Sequence, residues 1–121
     1  MKQWIWIVLL LLYAAAIGYG SHRPLSLGES PFAHADKLAH LAEFALFMLL
    51  AWQATGKHLL SAWLLTLIFA GSDEWHQALI PARDASVLDF VADFVGAGIM
   101  AALIYKRTLL WQFFSTRILG R

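Results

Sequence analysis

The sequence predicts an all-α membrane protein: four transmembrane helices in an antiparallel bundle, with a short C-terminal amphipathic segment, all in a single domain over residues 1–121. Three observations predict it. The 121 residues are 60% hydrophobic and only 14% charged, too apolar for a soluble domain of this size. Four apolar runs are separated by short stretches rich in glycine, proline and charge. Finally, all eight acidic residues fall between Glu29 and Asp93, most of them inside or at the ends of those runs. A carboxylate in hydrocarbon is costly, so such a group marks a built site or a protein-lined cavity.

The composition also excludes. With no cysteine, the chain has no disulfide, no thiolate nucleophile and no thiolate ligand for zinc or iron–sulfur. A net charge of +1 without a basic run gives nothing to neutralise a row of phosphates, so no nucleic-acid partner is expected.

The first helix is expected over about residues 4–19, polar only at Tyr13. Lys2 before it and Ala14, Ala15, Ala16 and Gly18 at its end are also features of a cleaved signal peptide, but the apolar core is long for one. Residues 21–35 carry Pro24, Gly28 and Pro31 and read as a surface loop. Asp36 opens the second helix, about 37–54, which stops at Thr55-Gly56-Lys57. The third follows at once over about 58–80 and Pro81 closes it; Asp84 can cap the fourth, about 85–105. Short connections make the second, third and fourth helices antiparallel neighbours.

Lys2, Lys57, Lys106, Arg107, Arg117 and Arg121 fall on one side of this layout, and Arg23, Lys37 and Arg83 on the other. The positive-inside rule then places both termini in the cytoplasm. Beyond Lys106, bases alternate with Leu110, Trp111, Phe113, Phe114 and Ile118, which fits either a helix lying on an anionic leaflet or an extension of the fourth helix.

Three polar stripes carry the functional signal. Asp36, His40 and Glu43 share a face of the second helix at i, i+4, i+7. On the third, Asp73 aligns with His76 and Gln77, with Glu74 beside that face and Gly71-Ser72 just before it. Ser86, Asp89, Asp93 and Gly96 form the third stripe. At about 1.5 Å per residue, Glu43 lies roughly 10 Å in from Asp36 and Asp73 about 12 Å in from Pro81, so the stripes are expected to meet in one outward-opening pocket. The first helix contributes almost nothing polar and is expected to close the bundle against lipid.

Six carboxylates in so small a volume repel, so either protons or a cation must offset them. Oxygen ligands suit a divalent cation such as Mg²⁺, Ca²⁺ or Mn²⁺, while His40 with one or two carboxylates suits zinc in an open geometry; the metal candidates are His40, Glu74, Asp89 and Asp93. Arg83, expected in the outer turn Pro81-Ala82-Arg83-Asp84 just before the fourth helix, either grips an anion or pairs with Asp84 or Glu74. Interhelical hydrogen bonds of roughly 0.6 to 2 kcal/mol each would explain one or two of these residues. Nearly a dozen, on one side only, exceed what packing needs. His22, His34 and His58 are read as solvated loop or helix-end residues, and most of the six tryptophans as interface anchors.

The same residues resemble the VanZ-like family of small bacterial membrane proteins, named after a protein linked to teicoplanin resistance. Asp36-Lys37-Leu38-Ala39-His40 is similar to the family's D-K-x-x-H. Asp73-Glu74-Trp75-His76-Gln77, then Pro81, Arg83, Ser86, Asp89, Asp93 and Gly96, are similar to its D-E-x-x-Q, P-x-R, S-x-x-D and N-x-x-G series. Asp93 departs from the pattern, standing where asparagine is expected. The resemblance implies a four-helix, multi-pass protein of the bacterial cytoplasmic membrane with a role at the cell envelope.

The leading functional expectation is a pocket that binds, and in a catalytic version processes, an anionic lipid or lipid-linked cell-wall intermediate. Asp36, Lys37 and Arg83 would contact the ligand, with the two bases holding the anion. A metal-dependent hydrolase or transferase acting on the headgroup would use Glu43 or His40 as base. Asp73, Glu74, Asp89 and Asp93 would position a metal or the base, and Ser86 or Gln77 would orient the headgroup. A Ser86 nucleophile relayed by His40 is a further variant. Two other classes compete: a proton- or cation-coupled transporter, against which the inner helix halves look dry unless an oligomer supplies another route, and a non-catalytic assembly protein whose cluster only holds helices together.

Overall fold

The computed structural model describes residues 2–21, 35–80 and 86–119, all but a few of them in four helices: α1 (Gln3–Ser21), α2 (Ala35–Ala54), α3 (Leu59–Ala78) and α4 (Val87–Leu119). The first three lie within two residues of the expected bounds. Pro81, Arg83 and Asp84 lie outside the described residues, as do the loop residues 22–34.

The stop after α2 follows from its sequence. Gly56 adopts φ +67° and Lys57 φ +70°. That left-handed pair lets Gly56 N–H donate to Gln53 O (3.3 Å) and Lys57 N–H to Trp52 O (2.8 Å). These are the two closing bonds of a Schellman motif, which satisfy carbonyls that the helix itself leaves open. The Trp52 indole then donates to Lys57 O at 3.0 Å, pinning the turn.

At the other end of the bundle, Ser86 O accepts from Asp89 N–H and Phe90 N–H (2.9 and 3.2 Å), so Ser86 starts α4. The helix then continues without a break to Leu119, 33 residues in all. The expected boundary near Tyr105 and the separate C-terminal amphipathic segment are therefore corrected: the tail is an extension of α4. The reason is local, because no glycine or proline occurs from Ile99 to Leu119. At about 1.5 Å per residue, α4 is roughly 50 Å long, well beyond a hydrocarbon core of about 30 Å.

α2 is the hub. It packs on α1, α3 and α4, whereas α1 meets α3 only thinly and makes no contact with α4 among the described residues. Helix directions are read from pairs of partners: Gln3 Nε2 donates to Ala54 O (3.0 Å) and the Tyr13 hydroxyl to Glu43 O (3.2 Å), so α1 and α2 are antiparallel. Lys37 meets Asp89 and His40 meets Asp93, so α2 and α4 run parallel.

The core follows the helical period of α2, with Phe44, Phe47, Met48 and Ala51 buried. Phe47 stacks on Phe69 of α3 with centroids 4.5 Å apart and planes 9° from parallel. Between α2 and α4 the backbones almost touch: a Cβ at Gly96 would lie 2.0 Å from the Leu41 carbonyl oxygen. Only glycine permits that approach, which sets the depth at which the α2 and α4 stripes face each other.

The outer surface is covered with leucine, isoleucine and tryptophan, among them Leu11, Leu60, Ile68 and Trp75. Such a surface suits lipid rather than water. Two helical stretches, Gln3–Ser21 and Val87–Arg117, are long and apolar enough to cross a membrane. α2 and α3 do not meet that criterion, and among the described residues α3 carries three of the six buried polar ones, Thr66, Asp73 and Gln77.

Candidate functional site

Parallel packing of α2 on α4 brings two of the stripes together rung by rung. Lys37 of α2 forms an ion pair with Asp89 of α4 and a second, at 2.8 Å, with Asp36. One turn deeper, His40 Nδ1 lies 2.9 Å from Asp93 Oδ1, and the Asp93 side chain is completely buried. One further turn of α4 reaches Gly96, where the backbones close up.

α3 contributes to this cluster through Glu74. Its Oε2 accepts the Ser86 backbone N–H at 3.2 Å, which ties the carboxylate to the first residue before α4. Ligand atoms of His40, Glu74 and Asp93 all lie within 4.8 Å of one another. Glu74 Oε1 and Asp93 Oδ2 are buried and accept no hydrogen bond among the described residues. Native interiors rarely leave such atoms unsatisfied, because each costs about 1–3 kcal/mol and more when charged.

Asp73, the neighbour of Glu74, goes elsewhere. Its two oxygens accept the Ser21 hydroxyl at 2.9 and 3.1 Å, and Gln77 Nε2 donates to Asp73 Oδ2 at 2.7 Å and to Ser21 Oγ at 3.3 Å. All three side chains are buried. Successive residues of a helix point about 100° apart, so Asp73 and Glu74 cannot serve the same partner. α1 stands beside one and α4 beside the other. The expectation of one shared chamber is thus refined into two adjacent knots, and the expectation that α1 brings almost nothing polar is corrected by Ser21. A serine at the start of a glycine- and proline-containing stretch gave no sign of helix or burial.

Of the remaining sequence-derived residues, Glu43 is half-buried one turn below His40, and its backbone carbonyl accepts the Tyr13 hydroxyl. Asp89 is buried and engaged by Lys37, apart from the three donors that converge. Asp36 is exposed at the start of α2. Ser86 meets Glu74 through its backbone, while His40 Nδ1 is taken by Asp93, which does not bring together the serine–histidine relay. His76 is half-buried on α3. Arg83 lies outside the described residues.

A cleft of about 300 Å³ opens between α3 and the start of α4, lined by Gly71, Glu74, Trp75, Ser86, Val87 and Phe90. Its walls are mostly apolar, with Glu74 as the charged group. The cluster thus has a carboxylate in common with a groove open to the outside.

A family profile described as VanZ/LLP1 matches residues 3–112, which take in all four helices except the last part of α4. The chain belongs to the VanZ/LLP1 family. No curated protein and no solved structure matches it. In this VanZ/LLP1 chain, Asp93, the residue that departs from the asparagine expected in the family pattern, is the completely buried partner of His40.

Proposed function

We propose that this VanZ/LLP1 protein is a four-span, multi-pass protein of the bacterial cytoplasmic membrane with both termini in the cytoplasm, whose outward pocket binds and processes an anionic lipid or lipid-linked cell-wall intermediate. The observation that carries the reading is the junction of a buried polar cluster with an apolar-walled cleft through one residue, Glu74. A ligand with a charged head and a hydrocarbon tail has that same division. Lys37 carries positive charge beside the cluster, where Asp36 and Asp89 share it, and Arg83, four residues before α4 in the sequence, carries a planar donor fork suited to phosphate. α2 and α3 fall short of a simple hydropathy criterion because they carry polar residues; on α3 Thr66, Asp73 and Gln77 are buried, where protein rather than lipid surrounds them. Beneath the cluster, Phe44, Phe47 and Met48 fill the interior, which favours a blind pocket over a transport path.

Lipid retention tests the binding. The full chain, purified in detergent and reconstituted with phosphatidylglycerol and phosphatidylethanolamine, is examined by native mass spectrometry beside Gly71→Leu and Lys37→Gln. Gly71 lines the cleft and a Cβ there meets nothing within 4 Å, so leucine at this position is placed to fill the cleft. Both variants are expected to lose phosphatidylglycerol by about tenfold, equivalent to about 1.4 kcal/mol. Unchanged retention in both would rule the reading out. Because the chain lacks cysteine, single Ser86→Cys and Thr116→Cys variants test topology by labelling with an impermeant reagent. Label is expected at position 86 from outside and at 116 only after lysis; the reverse would refute the orientation.

A further inference from the structure

We propose that His40, Glu74 and Asp93 form a binding site for one divalent transition-metal cation of the zinc or manganese class. The inference stands on the cluster's geometry and goes beyond the lipid reading. Three helices each deliver one donor, and the donor atoms lie within 4.8 Å of one another. Each carboxylate is fixed through one oxygen, Asp93 Oδ1 by His40 and Glu74 Oε2 by the Ser86 N–H. The other oxygen of each is left inside the protein with no hydrogen bond among the described residues, and the Asp93 side chain is 0% exposed. Two buried anionic oxygens facing an imidazole need a positive partner.

Among the described residues the neighbouring cation, Lys37, is already shared by Asp36 and Asp89. One dication with a neutral imidazole and two carboxylates gives a cluster of zero net charge. A mixed imidazole–carboxylate set suits zinc or manganese, whereas calcium and magnesium prefer oxygen alone and soft ions prefer sulfur. Three protein donors are also the number that leaves a coordination position for an outside oxygen. The sequence-derived candidate Asp89 drops out of the set, because Lys37 occupies it.

The test uses metal alone. The full chain is purified in detergent, stripped with a chelator, incubated with zinc chloride or manganese chloride, desalted, and its metal content measured by plasma mass spectrometry. About one equivalent per chain is expected. Glu74→Gln and His40→Gln should weaken binding by more than about 100-fold, beyond the roughly 10–100-fold typical of outer partners. Asp73→Asn, with the neighbouring acid of the closed knot neutralised, should retain the metal. Circular dichroism checks the fold, and half-buried Glu74 serves as the safe variant if His40→Gln unfolds. Bound manganese should show nitrogen coupling in its paramagnetic resonance that disappears in His40→Gln. Less than about a tenth of an equivalent on the parent chain would overturn the proposal in favour of a proton shared by Glu74 and Asp93. Equal retention by Glu74→Gln and the parent would overturn it in favour of binding elsewhere.

Discussion

Asp73 and Glu74 are consecutive acids on one helix, yet they end in opposite circumstances. Asp73 sits in a closed knot, where Ser21 and Gln77 donate to its oxygens and bind α1 to α3. Glu74 sits in an open one, anchored at a single oxygen beside His40 and Asp93, with buried acceptor capacity left over. The closed knot is what helix–helix association in a membrane requires and no more. The open one carries like charges that repel and lone pairs that no described residue satisfies, which stability alone does not call for. Polar residues at one depth of one bundle thus do two different jobs, and hydrogen-bond completeness tells them apart.

The comparison breaks most drastically if α2 and α4 are forced apart. In Gly96→Ala the new methyl meets the Leu41 backbone, which cannot rotate away. A loss of about 3 kcal/mol, at the upper end for overpacking, is expected in detergent melts. The Lys37–Asp89 and His40–Asp93 pairs should separate while the Asp73 knot on α3 persists; an unchanged melt would show that the close approach is not needed.

Opening the closed knot comes next. Asp73→Asn puts an amide donor among existing donors and should cost about 2 kcal/mol, the penalty of leaving buried polar groups mismatched. Function should fall only as far as the fold does, which a lipid-retention titration at matched folded fractions would check. Ser21→Ala removes one donor and should cost about 1 kcal/mol in the same melt. A cost equal to that of Asp73→Asn would mean that Ser21 alone holds α1. At the small end, Trp111→Ala lies on the exposed extension of α4 and should change stability by no more than about 0.5 kcal/mol.

Much of this arrangement was legible in the sequence. Helix bounds followed from Gly56, the breakers around residues 21–35 and the apolar period of α2, because backbone rules act locally. That three polar stripes reach one level was legible from helical spacing, whereas which stripe faces which is not a property of periodicity. The division between Asp73 and Glu74 was not legible. Periodicity says that the two side chains diverge, but which neighbour stands on each side is a tertiary fact. Ser21 was missed because nothing in a serine near glycines reports burial, and the continuity of α4 past Tyr105 was left open because its basic, aromatic tail suits water, a leaflet or a helix alike. Gly96 belonged to the right stripe, but its role as the point where two backbones meet required coordinates.

The central claim, that the open cluster is kept for a ligand and the closed knot for the fold, is tested most directly by paired thermal melts in detergent with a chelator present. Glu74→Gln should match or exceed the parent's stability, within about 0.5 kcal/mol on the low side, because it removes a repelling charge from an unsatisfied site. Asp73→Asn should melt clearly lower, by the equivalent of about 2 kcal/mol. Equal losses from the two adjacent substitutions would contradict the account and leave both knots as helix-to-helix adhesive.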